Sequence, residues 1–525
     1  MPFKRSRHSI EFRFGILAGT LLAFSAWATD LKYWPQFRGP TGQGTSDSAH
    51  PPVQFSVSNP VWKTELPLGH SSPCVWGNRI FLTTYATNQL ECRAYDRRSG
   101  RLLWARRVAA ENVESTHEFN HPASSTPAAD GSTVVFQFHS YGLLAYSHQG
   151  KLLWERKLPT PVAAVRYGSG SSPVLCRDLV VQNLDVDGGG SRLIAVHRAS
   201  GKLAWEAPRP FFGPGWSTPI LWPGGGKPQL VVLGSKKLVS YDPQNGRELW
   251  AMAGFPGEVP PSPAFDAQYI FAGSAATGGR SGETFESFAW EAVSDLDLNH
   301  DGKIQIDEVP ESFRFVQRPG LPEGNPGRRL PFPARDVLRS MDQNKDGAVS
   351  REEWNTAMGE FMARETPVLM ALNAGSGGAG GTNRLAWKVT RGLPEVPSPM
   401  HYLGKVYLVR DGGMVQCVSA QSGTILYQDR LPASGGYTAS PIAADGRVYF
   451  CSVSGTITAI DAHAEHLKVL ATNTLGEAIT ATPAMVDDTL YVRTDRHLFA
   501  FRNHCHTRTS SLNPIQLIRR HSSSR

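Results

Sequence analysis

From Val61 to Phe501, leaving aside one stretch near the middle, the apolar residues either alternate with polar ones or cluster in runs of four to six bounded by Gly, Asn and Asp. That pattern predicts short β-strands and excludes helices. The strands recur as a unit that opens with Ser-Pro or Thr-Pro, runs through apolar strands joined by turns, and ends in a Gly-x-x-x-Trp-like strand. The opening prolines are Pro73, Pro127, Pro173, Pro219, Pro263, Pro399, Pro441 and Pro483, at intervals of 54, 46, 46, 44, 136, 42 and 42 residues. A period of roughly 40 to 45 residues with several short strands per repeat is the pattern of a propeller blade. The chain is therefore predicted to be all-β, an eight-bladed β-propeller.

The first unit shows the details, with strands at Arg79 to Thr84 and Leu90 to Tyr95 leading to Gly100-Arg-Leu-Leu-Trp104. Parallel endings occur at Gly150 to Trp154, Gly201 to Trp205, Gly246 to Trp250 and Gly423 to Tyr427, whereas the seventh unit, near Leu467 to Ala471, lacks the Gly and the aromatic. The Gly supplies the turn and the aromatic fills the space between blades. The eighth unit has strands at Thr489 to Arg493 and His497 to Phe501 but no fourth. Val61-Trp62-Lys-Thr-Glu-Leu66 resembles a last strand that precedes any blade, so it is predicted to complete the eighth and remove the open sheet edges. The Pro/Gly/Ser-rich lead-in before it is expected to pack across the outside of the wheel through Trp34 and Phe37.

The 136-residue interval is one unit plus an insertion, expected over residues 281–365 within blade 5. Apolar residues there do keep helical spacing, at Phe285, Phe288, Ala292, Val293 and Leu296, and again at Val337, Leu338 and Met341. Each run leads into a twelve-residue loop with oxygen donors where a calcium loop needs them. In the first the ligands are Asp297, Asn299, Asp301, the Lys303 carbonyl, Gln305 and Glu308; in the second, Asp342, Asn344, Asp346, the Ala348 carbonyl, Ser350 and Glu353. Gly302 and Gly347 stand at the sharp turn, and Ile304 and Val349 at the position where paired loops bridge. The cofactor expected is Ca²⁺. An acidic surface turn is the plain alternative, and two full matches weigh against it.

Composition refines this picture. The formal charge of +7 sits at the ends: residues 1–28 carry a net +3, and the tail from Arg502 adds five arginines and no acid. Without them the body stands at −1, so no nucleic-acid partner is expected. Residues 281–365 hold ten Lys/Arg against seventeen Asp/Glu, an acidic module on a mildly basic wheel. The amino terminus has a basic start, an apolar run from Phe14 to Phe24 and Ala26-Trp27-Ala28, the form of a cleaved export signal. No other long apolar stretch follows, so the expectation is an exported protein, periplasmic or extracellular, with no membrane span. The organisation predicted is signal peptide 1–28, lead-in 29–60, blades 1 to 5 over 61–280, insertion 281–365, the rest of blade 5 to blade 8 over 366–501, and a polar tail 502–525. The six cysteines suggest disulfides, but Cys74 and Cys92 fall two strands apart, roughly 9 to 10 Å, too far to bridge. Cys417 and Cys451 lie in neighbouring blades, so the cysteines are read as small core residues.

Other motifs are weaker. Asn183-Leu-Asp185-Val-Asp187-Gly188 starts like a calcium loop, but its twelfth position is Ile194, which makes it a hairpin turn. His117-Glu118-Phe-Asn-His121 has zinc-protease spacing, yet Pro122 turns His121 away from the helix that chemistry needs. His504-Cys505-His506 has the ligands for a soft metal, but its place in the tail favours a chance cluster. Residues beside the strand starts, namely His70, Arg166, Tyr167, Trp216, Arg391 and Tyr437, are placed at one mouth of the central channel, and none of them forms a catalytic set.

The units resemble the quinoprotein-type (PQQ-like) repeat, and the chain is similar to exported bacterial propellers that open with Trp-Pro-Gln-Phe-Arg-Gly-Pro, as here at Trp34, and carry paired EF-hand loops inside a blade. The resemblance runs from about Trp34 to Phe501. It speaks to the fold more than to function, and two functions are weighed. The first is a binding or scaffold protein whose propeller face holds an unidentified protein or small molecule while calcium stiffens the insert. The second is a PQQ-dependent oxidoreductase acting on an alcohol or sugar, with the quinone in the channel. Against the second stand the missing pair of adjacent cysteines and the lack of an assignable quinone-metal carboxylate, and the first is preferred.

Overall fold

Each Ser-Pro or Thr-Pro start becomes the innermost strand of a four-stranded antiparallel sheet. The structure, a computed structural model, describes residues 33–503 apart from 115, 117–119, 160–167, 187–189, 211, 214, 225–226, 276–288, 317–328, 330–332, 365–366 and 374–383. The innermost strands of blades 1 to 8 are Cys74–Trp76, Ala128–Ala129, Val174–Cys176, Ile220–Trp222, Ala264–Phe265, Met400–Tyr402, Ile442–Ala444 and Ala484–Val486. Second and third strands are buried almost throughout, as in Thr133–Phe138, because both faces of each sheet pack against neighbouring blades. The protein is an eight-bladed β-propeller.

Trp62–Glu65 pairs antiparallel with His497–Arg502, with Trp62 opposite Ala500, so the first long strand of the chain closes the last blade. Each tryptophan of the Gly-x-x-x-Trp ending reaches the next blade. The Trp104 indole donates to the His148 carbonyl at 3.0 Å, and Trp154 donates to the Arg198 carbonyl at 2.7 Å. The glycine of the following unit lies on that indole: a Cβ on Gly150, whose φ is +82°, would come within 2.8 Å of Trp104. The glycine therefore does more than turn the chain. It leaves room for the preceding blade's ring.

The lead-in takes a different course from the one its composition suggests. Trp34 forms an antiparallel bridge with Val75 of blade 1, and the Pro35 carbonyl accepts from Ala129 of blade 2 at 2.8 Å. Three residues on, the fully buried Arg38 donates to the Pro399 carbonyl of blade 6 at 2.6 Å, to the Gln43 carbonyl at 3.1 Å and to the Pro263 carbonyl of blade 5 at 3.4 Å. Thr45–Ser46 then adds a parallel strand to blade 7. Three residues span at most about 11 Å, so a path from blade 2 to blades 5 and 6 crosses the middle of the wheel. The lead-in closes the channel instead of wrapping the outside. Its driving force is the set of inward-facing carbonyls at the strand starts, which the planar five-donor guanidinium collects.

In blade 5 Tyr269–Ser274 pairs with Val368–Asn373, and between these strands the chain forms α1 (Trp290–Val293), α2 (Ala334–Met341) and α3 (Arg351–Arg364). Trp290, Val293, Ile304, Leu338, Val349 and Trp354 belong to a core of their own. Phe285 and Phe288 lie outside the described residues. The five described cysteines, Cys74, Cys92, Cys176, Cys417 and Cys451, are buried and free, as the strand spacing implied. No helix among the described residues is long and apolar enough to cross a membrane.

Candidate functional site

The residue before each repeat proline forms one ring. Ser72, Thr126, Ser172, Thr218, Ser262, Ser398, Ser440 and Thr482 all line a cavity of about 200 Å³ on the propeller axis. Around the ring the backbone N–H of each residue donates to the hydroxyl of the next blade, from Ser72 to Thr126 and onward to Ser440 and Thr482, in seven bonds of 2.9 or 3.0 Å. Strand starts that would otherwise leave unpaired N–H groups in the channel are thereby tied to one another. A second layer, two residues earlier in each blade, consists of His70, Ser124, Gly170, Trp216, Pro260, Val396, Thr438 and Thr480. Phe37 of the lead-in, Asn120 and Glu395 complete the lining.

Of the channel residues expected from sequence, His70 and Trp216 line the cavity. Tyr437 and Arg391 do not: Tyr437 is buried in the wall with its hydroxyl donating to the Ala433 carbonyl at 2.8 Å, and Arg391 offers its carbonyl to Gln416 at 3.2 Å. Their places in the lining are taken by Thr438 and Glu395. Arg166, Tyr167, His117, Glu118 and the His504-Cys505-His506 cluster lie outside the described residues. His121 sits in a turn, with its N–H on Asn120 Oδ1 at 2.8 Å and its ring 5.3 Å from that of His70. Burial pushes His70 down to about 3 and His121 to about 4, and nearby Arg493 adds to both, so the two rings are neutral at physiological pH. Asp185, from the false calcium loop, is instead the buried partner of Arg209 at 2.7 Å.

The backbone bonds onto the carboxylates recur in both loops of the insert. Asp297 Oδ2 accepts from Gly302 N at 2.8 Å, and Asp342 Oδ2 from Gly347 N at 3.0 Å. Asp301 Oδ1 accepts from Lys303 N at 2.9 Å, and Asp346 Oδ1 from Ala348 N at 3.0 Å. Glu308 takes the N–H groups of Asn299 and Gln305 at 3.0 Å each, while Glu353 takes those of Asn344 at 3.3 Å and Ser350 at 3.0 Å. His300 and Lys345, at the fourth position, both have φ of 61°, and Gly302 and Gly347 have φ of 87° and 85°. Ile304 pairs with Val349 in a short antiparallel ribbon that joins the loops.

Among the described residues no three acidic, His or Cys side chains converge on one point. The bonds above give the reason: each carboxylate is turned onto its own loop's backbone, and the remaining donors are amides, a hydroxyl and carbonyls. The residues nevertheless suit a hard cation, because their contacting atoms are oxygens and one of them, Asp342 Oδ1, is buried with no hydrogen-bond partner. The loops differ at position nine, where Gln305 donates to Asp301 Oδ2 at 2.6 Å and Ser350 donates to Glu353 Oε2 at 2.8 Å, and at position seven. Lys303 Nζ bridges to Asp346 Oδ2 at 2.8 Å, which raises the lysine and holds Asp346 below the usual carboxylate range. Position seven of the second loop is Ala348, so no reciprocal bridge forms.

A family model described as outer membrane protein assembly factor BamB matches residues 57–183 and 336–504, more than half of the chain. The chain belongs to that family. An EF-hand model matches residues 294–309, which contain the first loop. No curated protein matches the sequence. Among solved structures, BamB from Moraxella catarrhalis shares 11% identity with a TM-score of 0.50, covering 85% of this chain and 99% of its own. The quinohemoprotein alcohol dehydrogenase of Comamonas testosteroni shares 11% with a TM-score of 0.54, and ADHIIG of Pseudomonas putida HK5 shares 13% with a TM-score of 0.51; each match covers 91% of this chain and 81% of that enzyme. At such identities the likeness concerns the fold. Family members thus share the PQQ-like wheel with both an assembly factor and dehydrogenases, and the side chains of each wheel have to be read separately.

Proposed function

We propose that this is an exported calcium-binding β-propeller that acts as a binding or scaffold protein. The observation that carries the calcium part is the agreement of the two loops, twelve donors in register with a buried carboxylate oxygen left unpartnered at Asp342. The Asp297, Asn299, Asp301, Lys303, Gln305 and Glu308 set, and the Asp342, Asn344, Asp346, Ala348, Ser350 and Glu353 set, would each hold one Ca²⁺. Bound calcium would supply charge to a net-acidic insert and fix its helices. The scaffold part is supported by a wheel closed through Trp62 and sealed at one mouth by the lead-in, and by a relative named as an assembly factor. Export rests on the amino-terminal signal pattern. Limited proteolysis tests the division of labour: calcium should protect residues 281–365 from cleavage and leave the blades as they were, and a chelator that unfolds the whole chain would contradict it.

The likeness to two quinohemoprotein dehydrogenases keeps a quinone in view. The channel does not fit one. Pyrroloquinoline quinone carries three carboxylates, whereas the described lining offers one acid, Glu395, and neither Lys nor Arg. The cavity, about 200 Å³, also lies below the roughly 300 Å³ at which pockets for ligands of that size begin. Dye reduction by the purified chain with the quinone, calcium and a panel of alcohols and aldoses tests this reading, and turnover would overturn the scaffold assignment.

A further inference from the structure

We propose that the axial cavity binds one neutral, hydroxyl-bearing small molecule of monosaccharide size. Among the described residues none of the eight ring hydroxyls donates to a protein acceptor, although seven accept a backbone N–H, so a circle of O–H donors faces the cavity unspent. Unspent capacity continues behind the ring in blades 2 to 4. Ser171 Oγ and Ser217 Oγ, each next to a ring residue, and both polar atoms of the Gln137 side chain are buried without a partner among the described residues. Buried groups of this kind call for water or for ligand oxygens. The cavity volume corresponds to about seven waters or one six-carbon polyol.

The wall also selects against charge. His70 is neutral, Arg38 and Arg493 turn their terminal guanidinium nitrogens onto backbone carbonyls and the Ser71 hydroxyl while each Nε has no partner among the described residues, and Glu395 is the one acid in the described lining. The described lining offers a strong anion neither Lys nor Arg, and a strong cation would meet the buried arginines behind the wall. A neutral polyol meets neither penalty, and its oxygens can accept from the ring hydroxyls. Trp216 supplies the apolar side: its Nε1 is anchored on the Gly168 carbonyl at 2.6 Å, which fixes an indole on which the C–H face of a pyranose can lie. The inference does not depend on calcium, so its failure leaves the loop assignment intact.

Titration calorimetry of the full chain with glucose, galactose and N-acetylglucosamine, set against inorganic phosphate and citrate, tests it. At least one sugar should bind in the millimolar range or tighter, Trp216→Ala should weaken it about tenfold, and Trp216→Phe should retain most of the affinity. Should the alanine variant melt early, Thr218→Val, which removes one ring hydroxyl at constant shape, is read instead, and should weaken binding about threefold or more. No heat with any sugar at about 10 mM, binding confined to the anions, or sugar binding that survives these substitutions overturns the proposal.

Discussion

Trp62 lies directly across from Ala500, joining residues that stand 438 positions apart, and its indole donates to the Arg97 carbonyl of blade 1 at 3.0 Å. One side chain therefore closes blade 8 and locks it to blade 1. Trp62→Ala removes a nearly buried ring and leaves that carbonyl unpaired, so stability should fall by about 3 to 5 kcal/mol. Urea unfolding followed by circular dichroism reads the shift in midpoint. A shift no larger than that of an exposed site such as Leu102→Ala would show that the wheel does not depend on this closure.

Gly150 tests the interlock between blades. Alanine there must keep a positive φ and press a methyl group into Trp104, which should cost about 2 to 4 kcal/mol. Gly77 is the control, because its φ of +56° is also positive while nothing lies within 4 Å of a built Cβ. Gly77→Ala should cost only about 1 kcal/mol, the conformational share alone. Equal losses at the two sites would remove the steric part of the argument.

These relationships show what the sequence made legible. The repeat prolines mark eight blades because each innermost strand needs the same local start, and the Trp62 strand is legible because Val61 to Leu66 resembles a last strand before any blade has begun while the eighth unit lacks its fourth. The turns and the bridge of the twelve-residue loops are readable for the same reason, because local spacing sets them. The lead-in was misread because Arg38 is satisfied by carbonyls 225 and 361 residues away, and no local pattern announces such partners. The hydroxyl ring was visible as a repeated Ser or Thr before proline, but its bonds run from blade to blade and exist only once the wheel has closed. Tyr437 was misplaced by one position, since alternation along a strand sends its neighbour Thr438 into the channel and Tyr437 into the wall.

Glu114 gives the fold a pH dependence. Burial raises its carboxyl from 4.5 to about 7, against a hydrogen bond from Ser169 at 3.3 Å. The folded chain holds this proton more tightly than the unfolded chain, so its stabilising effect is present below pH 4.5 and is lost as pH rises through about 7. Glu114→Gln keeps the neutral form at every pH. It should raise stability by about 1 to 3 kcal/mol at pH 8 and change little at pH 4. Melting curves at the two values check this, and a gain of equal size at both would rule out titration as its source.

If the second loop binds calcium as proposed, Lys303 would compete with it, since its ammonium already pairs with Asp346 at 2.8 Å. Lys303→Gln should tighten the second site about two- to fivefold, as expected for an exposed ion pair, and the gain should shrink at high salt. Calcium titrations at low and high ionic strength measure it. Weaker binding in the variant would mean that Lys303 supports the loop and does not compete there.

Titration calorimetry of residues 29–525 with calcium tests the central claim most directly. The account predicts two sites in the range of about 10⁻⁵ to 10⁻³ M, both abolished by Glu308→Gln combined with Glu353→Gln, while circular dichroism still reports an intact β-rich wheel. An absence of calcium binding in the unaltered chain, or binding that persists unchanged in the double variant, would contradict it.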